Sequence, residues 1–108
     1  MMGGPMNLED IAIIEGNAEA DPRTYYEAIQ RAINGGEAWK FQGSYGRAMM
    51  AAIEAGYCML GRRAFIDFFG SSIPSRSDVA PGSKGSREYV AAHRGEHWAA
   101  HMEVISAV

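Results

Sequence analysis

The run "ADPRTYYEAIQRAINGG", Ala20 to Gly36, constrains the fold more than any other stretch of the chain. Asp21 is suited to cap a helix, Pro22 to take its first position, and Asn34-Gly35-Gly36 to stop it. Between those signals Tyr26, Ile29 and Ile33 recur at helical spacing and share one face. A helix over residues 22–34 with one apolar face must bury that face against other elements, and most of the remaining sequence is helical in pattern.

Asn7 can cap a short helix through about Glu15, with Glu9 and Asp10 near its positive end and Gly16 as its stop. The stretch "SYGRAMMAAIEAGYCML" predicts a second long helix over 44–60, with Met49 or Met50, Ile53, Tyr57 and Leu60 as its buried stripe. From Ser86 or Arg87 a last helix runs towards the end, interrupted at Gly95, with Tyr89, Val90, Trp98, Met102 and Ile105 as core contacts. "RRAFIDFFG" reads as a helical turn or a short strand, and any β-structure is confined to a hairpin around residues 65–75. Ser71 to Ser86 is rich in serine, glycine and proline and reads as a long loop. The expected fold is mainly α: one small helical domain over 7–108 behind a flexible N-terminus at 1–6.

With 108 residues, 47% of them hydrophobic, a second core would not fit. Acids outnumber bases, 13 to 10, which counts against non-specific coating of nucleic acid, although Arg62-Arg63 and the span from Arg76 to Arg94 are locally basic. The single Cys58 excludes an internal disulfide and agrees with a cytoplasmic setting. No apolar run is long enough to span a bilayer, and the first ten residues do not read as a signal peptide.

One stretch stands out chemically. In "KFQGSYGRAMM" the start of a helix coincides with Gly43, Ser44, Tyr45, Gly46 and Arg47, close behind Trp39. Unpaired N–H groups at a helix start favour an anion, glycines admit a ligand to the backbone, arginine can hold an oxyanion, and Trp39 or Tyr45 can stack on a base. The plain alternative makes Ser44 an ordinary cap and puts Trp39 and Tyr45 in the core. Ser75, Arg76, Ser83, Lys84, Ser86 and Arg87 repeat the same chemistry in the later loop. If that loop folds over the Ser44 mouth, arginines from two segments converge on one anion.

Other features read as structural. His93, His97 and His101 are spaced four apart, and His93 to His97 spells H-x-x-E-H, a zincin-like order. That chemistry needs a third ligand and a larger scaffold, so a half-exposed histidine stripe beside Trp98 is expected, without metal. Cys58, inside an apolar run, reads as a buried inert thiol, and the seven methionines as core filler.

The stretch Trp39 to Arg47, its sequel Ile53-Glu54-Ala55-Gly56-Tyr57-Cys58, and the later Pro74-Ser75-Arg76, Val79, Pro81-Gly82, Lys84-Gly85-Ser86 and Glu88-Tyr89-Val90 resemble a family of small bacteriophage proteins, chiefly from phages of actinobacteria. The resemblance covers about residues 8–92 and carries no established function with it. Where those proteins read D-Y-Y-G, this chain has Asp67-Phe68-Phe69-Gly70, and its histidine-bearing tail lies outside the likeness.

The leading expectation is a non-enzymatic binding protein that captures an anionic, nucleotide-like ligand, acting in the host cytoplasm to counter defence signalling. Its site would comprise Trp39, Gly43, Ser44, Tyr45, Gly46, Arg47, Ser75, Arg76, Lys84 and Arg87, with no cofactor. The alternatives are a module that binds a host protein and, less favoured by the charge balance, a nucleic-acid-binding regulator. A homo-oligomer is expected, joined through exposed aromatics such as Phe68, Phe69 or Trp98.

Overall fold

A computed structural model describes residues 7–41 and 44–105. The expected N-terminal segment 1–6, Gly43 of the expected cradle and the last three residues lie outside the described residues. Five α-helices follow in order: α1 Leu8–Ile14, α2 Pro22–Gly35, α3 Ser44–Glu54, α4 Arg87–Arg94 and α5 Glu96–Ile105. Two short strands, β1 Phe65–Ile66 and β2 Ser72–Ile73, pair antiparallel with Phe65 opposite Ile73. The architecture is therefore a mainly helical bundle with one small hairpin.

The N-terminal capping signals act as the sequence suggests. Asn7 Oδ1 accepts from Asp10 N–H at 2.8 Å, and Asp10 reaches back to Asn7 N–H, closing a capping box on α1. Asp21 Oδ1 accepts from Thr24 N–H at 2.8 Å ahead of Pro22. Helix α2 is the central element and packs against α1, α3 and α5. Ile29 and Ile33 are fully buried, and with Met49, Ile53, Val90, Ala99 and Met102 they form one core.

One expectation needs correction. The helix anticipated over 44–60 ends at Glu54. Gly56 there has φ +80°, its N–H bonds Ile53 O, and Tyr57 N–H closes back on Ala52 O. That is a Schellman stop, so Tyr57 and Leu60 reach the core from a non-helical segment and not from a helical stripe. Of the two methionines offered for the buried stripe, Met49 is buried and Met50 is exposed. In the C-terminal run, the break at Gly95 is complete and separates α4 from α5.

The long Ser71–Ser86 segment is pinned at several points. Arg76 N–H bonds Gly61 O at 2.8 Å, Leu60 N–H bonds Gly85 O at 2.9 Å, and Ser75 and Ser86 are buried. It also contains β2 and a 3₁₀ turn, Arg76–Asp78.

Candidate functional site

A groove of about 400 Å³ opens between α3 and the β1–β2 turn. Trp39, Phe41, Met50, Phe68, Phe69 and Ile73 supply its apolar walls, and Gly46, Arg47 and Asp67 complete it. The volume falls within the roughly 300–1,000 Å³ typical of small-ligand sites.

Local bonding explains why the groove exists. Trp39 lies in a 3₁₀ turn, Glu37–Lys40, buried with its Nε1–H on Ile33 O at 3.3 Å. Its carbonyl accepts from Phe68 N–H at 2.8 Å, which holds the hairpin turn beside α3. Asp67 shapes that turn, because Oδ1 accepts from Phe69 N–H at 2.9 Å and from Ser71 N–H at 2.8 Å. Its backbone pairing with Ser71 and Gly70 tightens the same loop. Phe68 and Phe69 are thereby pushed outward, edge to face at 5.0 Å, and Phe69 stays 76% exposed.

Of the residues expected to form an anion cradle, three line this groove: Trp39, Gly46 and Arg47. Arg47 is exposed, and its side chain makes no hydrogen bond or ion pair with any of the described residues. Gly46 leaves open space where a side chain would stand, so the helix surface beside Arg47 is accessible. Ser44 is exposed and is the first helical residue, so it does not act as the cap before the helix. Tyr45 turns inward, edge-on to Phe41, with its hydroxyl donating to Glu15 Oε2 at 2.5 Å. Burial, reinforced by that carboxylate, pushes its phenol up to about 12.

The later loop goes elsewhere. Arg76 Nε donates to Leu60 O at 2.8 Å, and burial, with the Arg62 charge behind it, pulls its guanidinium below the usual range. Arg87 is claimed by α5, with Nε on Glu103 at 2.9 Å and both Nη atoms on Glu96, and these bonds raise its pKa. Ser75 is buried, with its N–H on Asp78 Oδ2 at 3.0 Å. Lys84 is exposed on a neighbouring cavity of about 220 Å³, which shares Met50 and Ile73 with the groove. The expected convergence of arginines on one anion is thus replaced by Arg47 as the one arginine among the described residues that lines the groove. Phe41, Met50, Asp67, Phe68, Phe69 and Ile73 are groove residues that pattern reading did not single out as a site.

The histidines do not share one helical face, because the chain breaks at Gly95 between His93 and His97. His93 Nδ1 lies 2.9 Å from Tyr89 O, His101 Nε2 lies 2.6 Å from Glu27, and Glu96 is bound to Arg87. Among the described residues no three His, Cys, Asp or Glu side chains are grouped to hold a metal ion. Cys58 is buried against Tyr26 O, and burial pushes its thiol up. Among the described residues no helix is long and apolar enough to cross a membrane.

Fold and groove together describe a small helical protein with an aromatic-walled surface recess beside Arg47. No family model, no curated protein and no solved structure matches this chain.

Proposed function

We propose that this chain is a small non-enzymatic binding protein that captures an anionic, nucleotide-like ligand in the groove between α3 and the hairpin turn. The observation that carries this reading is Arg47, whose guanidinium bonds none of the described residues and stands on a groove walled by Phe41, Phe68 and Phe69. A planar base packs against the aromatic walls, and Arg47 holds the phosphate through charge-assisted bonds. Asp67, whose Oδ1 is spent on the turn, offers Oδ2 to a ribose hydroxyl or a base N–H. In a phage-encoded protein, such capture would withdraw a signalling nucleotide from a host defence response.

Calorimetric titration with a nucleoside 5′-monophosphate, its parent nucleoside and inorganic phosphate tests the reading. The monophosphate should bind more tightly than either half alone. Affinity that is the same for nucleoside and monophosphate, or no heat up to about 10 mM, corresponding to under about 3 kcal/mol, would overturn it.

A second reading has its own observation. Phe41, Met50, Phe68 and Phe69 are all exposed on one groove, the kind of apolar surface that also joins proteins. The self-association that this reading requires is measured by light scattering with and without the monophosphate. A dimer that dissociates in Phe69→Ser but ignores nucleotide would favour it over ligand capture.

A further inference from the structure

A second cleft, of about 260 Å³, shares no residue with the groove and is lined by Pro22, Arg23, Tyr26, Tyr57, Arg94 and Trp98. It is bounded by the first turns of α2, the segment after α3, the end of α4 and the start of α5. Its centre is a stack. The Tyr26 and Tyr57 rings lie parallel within 6°, centroids 3.9 Å apart, and the Arg94 guanidinium sits 3.7 Å above the Tyr57 centroid. A ring has two faces, so at these distances Tyr26 and Arg94 cover opposite sides of Tyr57.

The stack is rigidly held but its polar groups are largely unspent. Arg94 Nε and Nη2 both donate to Ala55 O, at 3.2 and 2.9 Å, which leaves three of the five guanidinium N–H groups without an acceptor among the described residues. Trp98 Nε1–H donates to Tyr57 O at 2.8 Å and fixes the backbone under the ring. Neither the Tyr26 nor the Tyr57 hydroxyl bonds any described residue. Arg23 is 66% exposed and uses only Nε, on Glu27. No carboxylate lines the cleft. The nearest in sequence are already engaged, Asp21 by Thr24 N–H and Glu27 by Arg23 and His101.

We propose that this cleft binds a small oxyanion carrying one flat apolar group, with an aryl phosphomonoester as its type. Two guanidiniums and two phenols line the cleft with no carboxylate among them, and an oxyanion supplies the missing negative charge. Burial, and then Tyr57, raise the Tyr26 pKa, so that hydroxyl stays protonated and able to donate. Pro22 and the Trp98 ring offer an apolar wall for the remainder of the ligand. At about 260 Å³ the cleft is smaller than the groove of about 400 Å³, and a single ring with its phosphate is the ligand proposed for it.

The two tryptophans report separately, since Trp39 lines the groove and Trp98 the cleft. Phenyl phosphate should shift the Trp98 indole N–H resonance, read apart from that of Trp39, while phenol at the same concentration leaves it in place. Arg94→Gln should weaken the binding at least tenfold. Because Arg94 also holds Ala55 O, Tyr26→Phe and Arg23→Gln serve as milder variants, each expected to weaken binding severalfold with the fold intact by circular dichroism. Absence of a Trp98 shift at about 10 mM phenyl phosphate, an equal response to phenol, or affinity unchanged in Tyr26→Phe and Arg23→Gln alike would overturn the proposal. None of these outcomes depends on whether the Arg47 groove binds a nucleotide.

Discussion

The side-chain amide of Gln30 pairs with the backbone of Met59 in both directions, Nε2 donating to Met59 O at 2.8 Å and Met59 N–H donating to Oε1 at 2.9 Å. Both residues are fully buried, so the pair does for the extended segment after α3 what a neighbouring strand would do. Gln30→Leu keeps the apolar volume but strands one buried donor and one buried acceptor, each costing about 1–3 kcal/mol. A loss of about 3 kcal/mol in urea unfolding is expected. Gln30→Glu should be worse, because it removes the donor and places a carboxylate in the core. A cost under about 0.5 kcal/mol for Gln30→Leu would show that the segment is held by other means.

Tyr45 ties α3 to the end of α1 through Glu15, and its folded pKa lies near 12, above the ordinary tyrosine value of about 10. The folded state therefore holds this proton where the unfolded chain releases it. The resulting stability is fully present below about pH 10 and is lost as pH rises through about 12. Tyr26 is raised as well and adds to the same alkaline limb. Tyr45→Phe should flatten that limb in thermal melts taken across the range without abolishing it. Glu15→Gln should lower the pH at which Tyr45 ionises, read from phenolate absorbance. An unchanged alkaline limb in Tyr45→Phe would contradict the assignment.

Gly36 ends α2 at φ +85°, and a Cβ placed there would stand 2.2 Å from the Phe65 ring. The position therefore sets how closely β1 approaches the helix that carries the core. Gly36→Ala adds a strained backbone and forces Phe65 to move, for an expected cost of about 2 kcal/mol. The displaced strand also carries the turn that forms the groove, so amide resonances of Phe68 and Phe69 should shift together with those of Phe65. A neutral substitution with no shift beyond its immediate neighbours would disprove the coupling.

Much of the helical frame was legible in the sequence because its ends are marked by short-range chemistry. Asn7, Asp21, Pro22 and Gly36 act within a few residues of themselves, and each stands where its chemistry implied. The end of α3 was misread because Tyr57 and Leu60 continue the apolar spacing past Gly56, and periodicity does not register a left-handed residue. Partners across the fold were not legible at all. Gln30 reads as an ordinary helical polar residue, yet Met59, 29 positions away, makes it a core group. In the same way Arg87 looks like a free cation beside Ser86 until α5 brings Glu96 and Glu103 to it. The Asp67-Phe68-Phe69-Gly70 turn carried a local signal, an Asp and a Gly around two aromatics, but its place beside Arg47 depends on the Phe68 to Trp39 bond.

That difference between Arg47 and Arg87 is the sharpest test of which arginine meets the ligand. The Arg47 side chain makes no bond to any described residue, so Arg47→Ala should change stability by no more than about 0.5 kcal/mol. Its effect should fall on binding, with nucleoside monophosphate affinity down at least tenfold, or about 1.4 kcal/mol, and Arg47→Lys restoring only part, since an ammonium lacks the planar fork. Arg87→Ala should behave in the opposite way. It releases Glu96 and Glu103 on α5, both well exposed, and should cost up to about 1 kcal/mol of stability while leaving affinity within about twofold. If Arg87→Ala abolished binding while Arg47→Ala did not, the ligand would have to sit at the α4–α5 junction, and the groove between α3 and the hairpin would lose its claim.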